Sequence, residues 1–216
     1  TTIARTGVSR LLPPSNPGKL RVYRDNELLA EHQPGSAWSF VTPVTLDAIG
    51  EHVIDAVYQR RPEAKPDQAA CYAYCWDASR VGIVVDIDEV LNVTTPQDRF
   101  FGDRPLGDLR AGSAEALADL GQRFFVCYVT SLPASLKDKV HRWLRDNKLP
   151  GGPVFNWNRG MGNIRYGGNQ AAVLAGLRQR VPTLLIGIGA GAGDLDAFRR
   201  NGMLAVMIQT SSAPPG

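Results

Sequence analysis

The stretch Val81–Leu91 reads Val-Gly-Ile-Val-Val-Asp-Ile-Asp-Glu-Val-Leu and decides the fold of the second half of the chain. Its apolar, β-branched beginning predicts a strand that is buried on both faces of a parallel sheet. Asp86 and Asp88 come where that strand should end. Because ligands of open α/β sheets bind beyond the carboxyl ends of the strands, these acids are candidates for chemistry. Neighbouring carboxylates repel each other unless a cation or a proton intervenes, and a divalent metal with oxygen ligands suits them.

Composition excludes several classes of protein without choosing a function. Of the 216 residues, 44% are hydrophobic, which is enough to fill a core, and the net charge is only +3. This charge does not provide the dense basic patch of a nucleic-acid binder, so no nucleic-acid partner is predicted. No stretch approaches the roughly 18 apolar residues of a membrane span. The three cysteines have neither disulfide-framework nor metal-site spacing.

Two different patterns divide the chain. Residues 1–78 are predicted to form a small all-β domain, because short alternating segments are separated by turn residues such as Asp25-Asn26. Residues 79–210 alternate between buried strands and helices, which implies successive βα units and a parallel sheet. Residues 211–216, Ser-Ser-Ala-Pro-Pro-Gly, are predicted to be a disordered tail. The predicted fold class is therefore α/β with a parallel sheet, preceded by a small antiparallel β-sandwich-like domain.

Polar residues follow three of the predicted strands in the second half. The acids Asp86 and Asp88 follow the first strand, and Thr130 follows the second. A glycine-rich turn that ends in Asp194 follows the third, and the next helix is predicted to begin at Asp196. Because parallel strands end at the same edge of a sheet, we expect these side chains to converge. Such a glycine-rich turn could also bind a dinucleotide, but no acid follows it about twenty residues later.

The string Asp86-Ile87-Asp88-Glu89-Val90 resembles the first motif of the haloacid dehalogenase-like (HAD) superfamily, whose members are mostly magnesium-dependent phosphatases. Thr130 is similar to its second motif, and residues 189–195 are similar to its fourth. The nearest pattern looks like the lipin and phosphatidylinositol-transfer-protein C-terminal domain, on Tyr128-Val129-Thr130 and Leu149-Pro150-Gly151-Gly152-Pro153. The resemblance spans about residues 81–208 and implies a Rossmann-like, HAD-like sheet with a minimal cap.

The resemblance also implies a mechanism. Asp86 would be the nucleophile that forms an aspartyl-phosphate, and Asp88 would be the general acid and base. Mg²⁺ would be held by the Asp86 carboxylate, the Asp88 backbone carbonyl and Asp194. The phosphate would be bound by three further residues, Thr130, Ser131 and Arg165.

The expected reaction is hydrolysis of a bulky phosphate ester, for example a phospholipid such as phosphatidate, which would bring peripheral contact with a membrane. Only about 40 residues separate Asp88 from Thr130, too few for a sizeable cap domain, so the loop 92–108 would rim an open site. Two departures favour an alternative. Residues 166–170 lack the lysine that the superfamily usually has there, and Ala190 replaces an acid of many relatives. The alternative is a catalytically inactive HAD-like module that binds phosphate or phospholipid headgroups.

The first half carries a second resemblance. Residues 19–29, then Gly35 with Trp38-Ser39-Phe40, then residues 46–56 resemble bacterial immunoglobulin-like (Ig-like) repeats. Such repeats are common outside the cytosol, whereas the small number of cysteines fits the cytosol. Localisation therefore stays open between a cytoplasmic or peripheral membrane protein and a secreted one. The sequence predicts no oligomeric state.

Overall fold

The computed structural model describes residues 2–7, 18–33, 39–93, 106–133, 136–156 and 168–209. The chain divides into two compact units, unit 1 (Thr1–Trp76) and unit 2 (Asp77–Gly216). This division lies two residues before the boundary predicted after residue 78. The predicted tail 211–216 lies outside the described residues. In the part of the chain that the structure describes, no helix has the length and apolar character needed to cross a membrane.

Unit 1 is built from antiparallel strands. They are β1 (Thr2–Gly7), β2 (Lys19–Arg24), β3 (Glu27–His32), β4 (Ser39–Val44), β5 (Gly50–Gln59) and β6 (Asp67–Cys75). One sheet has the strand order β3-β2-β5-β6, and β1 pairs with β4 in a second sheet. Val22 and Ile54 of the first sheet share a core with Val44 of the second. The antiparallel β structure predicted for this half is confirmed, and β1 is a strand that the sequence pattern did not predict.

The hairpin turn between β2 and β3 is fastened to β5. Asp25 and Asn26 have φ angles of 50° and 71°, as a type I′ turn requires. The Asp25 carboxylate accepts a hydrogen bond from the Val53 backbone N–H at 2.8 Å and lies 2.6 Å from Nδ1 of His52. Nε2 of His52 lies 2.9 Å from the carbonyl oxygen of Ala48. Because both ring nitrogens face oxygen acceptors, the imidazolium form of His52 satisfies both contacts.

We expect the stability of unit 1 to depend on pH through this pair. The Ala48 carbonyl and the Asp25 carboxylate raise the pKa of His52. The contribution of His52 to the stability of unit 1 is therefore complete below about pH 6.5, and it is lost as the pH rises through the pKa that His52 has in the folded chain. His52 and the Val53 N–H lower the pKa of Asp25, so its contribution is present above about pH 3.9 and is lost on acidification. Thermal unfolding of the full chain should therefore show a transition whose midpoint temperature decreases when the pH is raised from about 6 to about 9.

A pair of variants tests this assignment. His52→Gln removes the titrating group, so the decrease of the midpoint temperature between about pH 6 and about pH 9 should disappear. His32→Gln is the matched control, since Nε2 of His32 contacts the Thr42 hydroxyl at 2.9 Å, and this variant should keep the pH dependence of the unmodified chain. The same pH dependence in His52→Gln and in the unmodified chain would refute the role of His52.

Unit 2 alternates strands and helices around a five-stranded sheet. In chain order the elements are β7 (Gly82–Asp86), a π turn (Ile87–Leu91), α1 (Ser113–Arg123), β8 (Phe125–Thr130), α2 (Lys137–Asp146), β9 (Val154–Asn156), α3 (Gly168–Arg180), β10 (Leu184–Gly189), α4 (Ala192–Arg200) and β11 (Leu204–Met207). The strand order is β11-β10-β7-β8-β9, and each neighbouring pair is parallel. The predicted α/β class with a parallel sheet is confirmed.

The central strands explain why Val81–Leu91 is so apolar. All residues of β7 and of β8 are buried, as expected for strands that are covered on both faces. From β7 the chain proceeds to β8 and β9 on one side of the sheet, and it then continues in β10 and β11 on the other side. The strand order therefore reverses between β7 and β10. Crevices at such topological switch points are the usual ligand sites of open α/β sheets.

Two elements differ from the sequence prediction. The short strand β9 was not predicted, and it forms where the buried Tyr128 donates its hydroxyl to the Pro150 carbonyl and its backbone N–H to the Pro153 carbonyl, each at 2.8 Å. Helix α4 begins at Ala192 rather than at Asp196. The Asp194 carboxylate accepts a hydrogen bond from the Gly191 N–H at 3.0 Å, which stabilises a helix start within a glycine-rich segment.

Candidate functional site

The carboxyl end of β7 carries two buried acids. Asp86 is the last residue of the strand and is 4% exposed, and Asp88 lies in the π turn and is 7% exposed. Oδ1 of Asp86 accepts a hydrogen bond from the Asp88 backbone N–H at 3.0 Å. The π turn is closed by a hydrogen bond from the Asn92 N–H to the Ile87 carbonyl at 3.3 Å. Short π segments of this kind are rare and are found frequently at functional sites.

The Asp88 carboxylate is bonded to the residues at the end of β8. Thr130 donates its hydroxyl to Oδ1 at 3.1 Å. Ser131 donates both its backbone N–H and its hydroxyl to Oδ2, each at 2.6 Å. Thr130 is fully buried, and its hydroxyl oxygen accepts a hydrogen bond from the Leu132 N–H at 3.2 Å. The structure therefore brings the second predicted acid together with two of the predicted phosphate-binding residues.

The Asp88 carboxylate occupies a position in which the donors of Thr130 and Ser131 bind an oxyanion. Three N–H and O–H groups from two consecutive residues converge on its carboxylate. A hydroxyl has a single proton to donate, and those of Thr130 and Ser131 are directed to Asp88. The phosphate-binding role predicted for Thr130 and Ser131 consequently requires that a phosphate replace the Asp88 carboxylate at these donors.

The third predicted acid, Asp194, lies against the end of β10. Its Oδ2 accepts the hydrogen bond from Gly191, and its Oδ1 accepts one from the side-chain amide of Gln170 at 2.9 Å. Gly189 is the last residue of β10. A Cβ at Gly189 would lie 2.6 Å from the Cβ of Asp194 and 3.1 Å from its Oδ2. A glycine is thus required where the acid packs against the strand.

The register of the sheet sets the three strand ends side by side. Val85 pairs with Ile188, so Gly189 follows in β10 at the level of Asp86. On the other side, Asp86 pairs with Val129, and Thr130 follows in β8. Asp86 therefore lies between the strand end that carries Thr130 and the strand end against which Asp194 packs. All three ends meet at the topological switch point.

Several predicted residues fall outside the described part of the chain. Arg165, the third of the predicted phosphate-binding residues, is among them. So is the stretch 94–105, which forms most of the loop predicted to rim the site. Among the described residues, Ala190 follows β10 directly and is half-buried, and it brings no carboxylate to the edge of the sheet.

Sequence reasoning missed two residues that contact the site. Asn156 ends β9 beside Thr130, and its amide donates a hydrogen bond to the Leu132 carbonyl at 2.6 Å. This contact fastens the segment that supplies the donors to Asp88. Gln170 is the other missed residue. The one sequence signal was its place in the stretch that lacks the expected lysine, and its contact with Asp194 joins residues 24 positions apart.

The oxygen donors at this edge are of the chemical type that binds a hard divalent cation. The carboxylates of Asp86 and Asp194 and the backbone carbonyl of Asp88 are ligands of the type that Mg²⁺ prefers. Within the described ranges, no group of three or more His, Cys, Asp or Glu side chains is arranged to hold a metal ion. The predicted set contains two ligating side chains and one carbonyl, and Mg²⁺ commonly binds to one or two carboxylates while it keeps several waters.

No protein-family model matches the chain, and no curated protein is significantly similar to it. The candidate site is therefore defined by its own residues. These are the acids of β7 and its π turn, the hydroxyls after β8 and the acid in the first turn of α4.

The packing of Asp194 on Gly189 predicts the effect of adding a methyl group at position 189. Gly189→Ala should destabilise the chain by about 1–3 kcal/mol, because overpacking forces the beginning of α4 to move. Urea denaturation measures this change. Gly176→Ala is the matched control, since nothing lies within 4 Å of a Cβ at that helical position. It should stabilise the chain by about 0.5–1 kcal/mol. Equal effects of the two substitutions would show that Asp194 does not pack as described.

Proposed function

We propose that unit 2 is a magnesium-dependent phosphomonoesterase of the HAD-like type that works through an aspartyl-phosphate. The observation that carries the proposal is the position of Asp86. It is buried at the carboxyl end of the central strand, between the ends of β8 and β10. The switch point, the second acid in the π turn and the resemblance of the motifs support the same conclusion.

The proposed reaction has two halves. In the first, a carboxylate oxygen of Asp86 attacks phosphorus and forms the aspartyl-phosphate, while the bond from phosphorus to the leaving alcohol oxygen breaks. Asp88, which is protonated once it has been released from Thr130 and Ser131, gives its proton to that oxygen. In the second, the Asp88 carboxylate takes a proton from a water whose oxygen attacks phosphorus, and the bond to Asp86 breaks. The products are the alcohol and inorganic phosphate, and both acids return to their starting forms.

The contacts of Asp88 link phosphate binding to proton transfer in this proposal. Thr130 and Ser131 can bind phosphoryl oxygens only after Asp88 has left them, because their hydroxyl protons are directed to its carboxylate. The release of Asp88 then makes its carboxyl group available to the leaving oxygen. Mg²⁺, held by Asp86, the Asp88 carbonyl and Asp194, would neutralise phosphate charge beside the carboxylates.

The proposed substrate is a bulky phosphate ester, for example a phospholipid such as phosphatidate. Among the residues described between the π turn and β8, the one helix is α1, and no element there is large enough to form a cap domain. An open site of this kind would admit a headgroup that is still anchored in a bilayer. The unit would then act in peripheral contact with a membrane, and unit 1, which resembles an Ig-like repeat, would be an accessory domain.

A second candidate function is an inactive module that binds phosphate or phospholipid headgroups. The observation that favours it is the engagement of Thr130 and Ser131 by Asp88, which is compatible with a pocket that exchanges one anion for another without chemistry. The absence of lysine from residues 166–170 and the alanine at position 190 favour it as well. Such a module would bind phosphate but would not turn over an ester.

Substitution of the nucleophile tests the enzyme. The unmodified chain should hydrolyse p-nitrophenyl phosphate with Mg²⁺ and lose this activity in excess chelator. Asp86→Asn should lower turnover by at least about 1,000-fold, because the attacking carboxylate is removed. The matched control is Asp196→Asn, since Asp196 is an exposed acid of α4 that pairs with Arg200 at 2.8 Å, and it should keep full activity. Normal turnover by Asp86→Asn would exclude the aspartyl nucleophile.

The substrate class is tested with two esters. Unilamellar vesicles that contain phosphatidate should be hydrolysed with a higher kcat/KM than p-nitrophenyl phosphate, because an open site gains contacts from a bulky ester. Exclusive turnover of the small soluble ester would contradict the proposed substrate. Phosphate binding measured by calorimetry, without turnover of either ester, would favour the inactive module.

A further inference from the structure

Gln170 connects helix α3 to the acid at the end of β10. It is the third residue of α3 and is half-buried, and its Nε2 donates a hydrogen bond to Oδ1 of Asp194 at 2.9 Å. The opposite oxygen of Asp194 accepts the bond from the Gly191 N–H. The carboxylate is thus held from two sides, by its own helix start and by a side chain of a different helix.

The packing of α3 on α4 has other hydrogen bonds that lie away from the acid. Asn201, which follows α4, donates its amide to the Ala171 carbonyl of α3 at 3.0 Å, and also to the Ala197 carbonyl of α4 itself at 2.8 Å. Arg178 donates to the Gly202 carbonyl at 3.1 Å. The two helices are therefore joined independently of Gln170. The specific consequence of the Gln170 contact is the orientation of the Asp194 carboxylate.

Gln170 is a neutral donor, which matters next to a cation. A carboxylate offers about four acceptor positions, so two hydrogen bonds leave capacity for a metal ion. A lysine in the same place would donate equally well, but its positive charge would oppose a bound cation. An amide orients the acid and leaves its negative charge uncompensated.

We propose that Gln170 is a positioning residue of the cation site. Its amide holds Asp194 at the edge of the sheet beside Asp86, and its neutrality leaves the charge of Asp194 to the divalent cation. The inference rests on the function proposed above, because it takes Asp194 as a cation ligand.

The test is calorimetric titration of the full chain with Mg²⁺ alone, in the absence of substrate. Gln170→Ala should weaken Mg²⁺ binding by about 10-fold, as is typical when the partner of a metal ligand is removed. Asn201→Ala breaks a bond between the same two helices away from the acid, and it should leave Mg²⁺ binding unchanged. Gln170→Lys keeps a donor but adds a charge, and it should also weaken binding several-fold.

Each contrary result has a defined meaning. Binding by Gln170→Ala as tight as by the unmodified chain overturns the positioning role, and so does an equal loss in Asn201→Ala. Unchanged binding by Gln170→Lys overturns the argument from neutrality. If the unmodified chain binds Mg²⁺ with the expected losses in these variants but hydrolyses no ester, the proposed function fails and the role of Gln170 stands. If the unmodified chain binds no Mg²⁺, both are overturned.

Discussion

A carboxylate that is buried at the end of a strand must find hydrogen-bond donors, and the arrangement of the site depends on how Asp88 meets this requirement. Its donors come from Thr130 and Ser131, which follow the neighbouring strand β8. The Asp86 carboxylate in turn accepts the backbone N–H of Asp88 and fixes the beginning of the π turn. One chain of hydrogen bonds therefore links the ends of the two central strands. The same bonds define where a phosphate would have to bind.

The topology of the sheet places a third strand end, that of β10, beside the ends of β7 and β8. Because the strand order reverses between β7 and β10, the turn that carries Asp194 lies beside Asp86 rather than at a distant edge. Gly189 permits the acid to pack against the strand, and Gln170 orients it from α3. Each acid of the site is consequently held by a contact from a different part of unit 2. This is the kind of support that a reactive constellation needs.

The sequence predicted those features that depend on local pattern. The β-branched run before Asp86 has the composition of a central strand, and β7 is buried throughout. Val140 and Leu144, spaced four residues apart, form the buried face of α2 as helical periodicity requires. The strand order of the parallel sheet then makes the meeting of the strand ends a consequence of topology. The α/β fold class and the placement of these residues at one edge of the sheet could therefore be predicted.

The features that were missed depend on long-range contacts. Strand β9 forms because Tyr128 bonds to the segment that precedes it, and residues 149–153 carry no strand pattern of their own. The early start of α4 depends on the cap that Asp194 provides among glycines, which have low helix propensity. The engagement of Ser131 with Asp88 spans 43 positions in the sequence. Side-chain pairings of this kind follow from register and rotamer, which residue patterns do not encode.

The central claim is that the ends of β7, β8 and β10 form one phosphoryl-transfer site. The most direct measurement is a crystal structure of the full chain grown with Mg²⁺ and beryllofluoride, which mimics a phosphoryl group bound to a carboxylate. The account predicts beryllium bonded to an oxygen of Asp86, Mg²⁺ in contact with Asp86 and Asp194, and Asp88 released from Ser131. An unmodified Asp86, with Asp88 still bonded to Ser131 in the presence of both reagents, would contradict it.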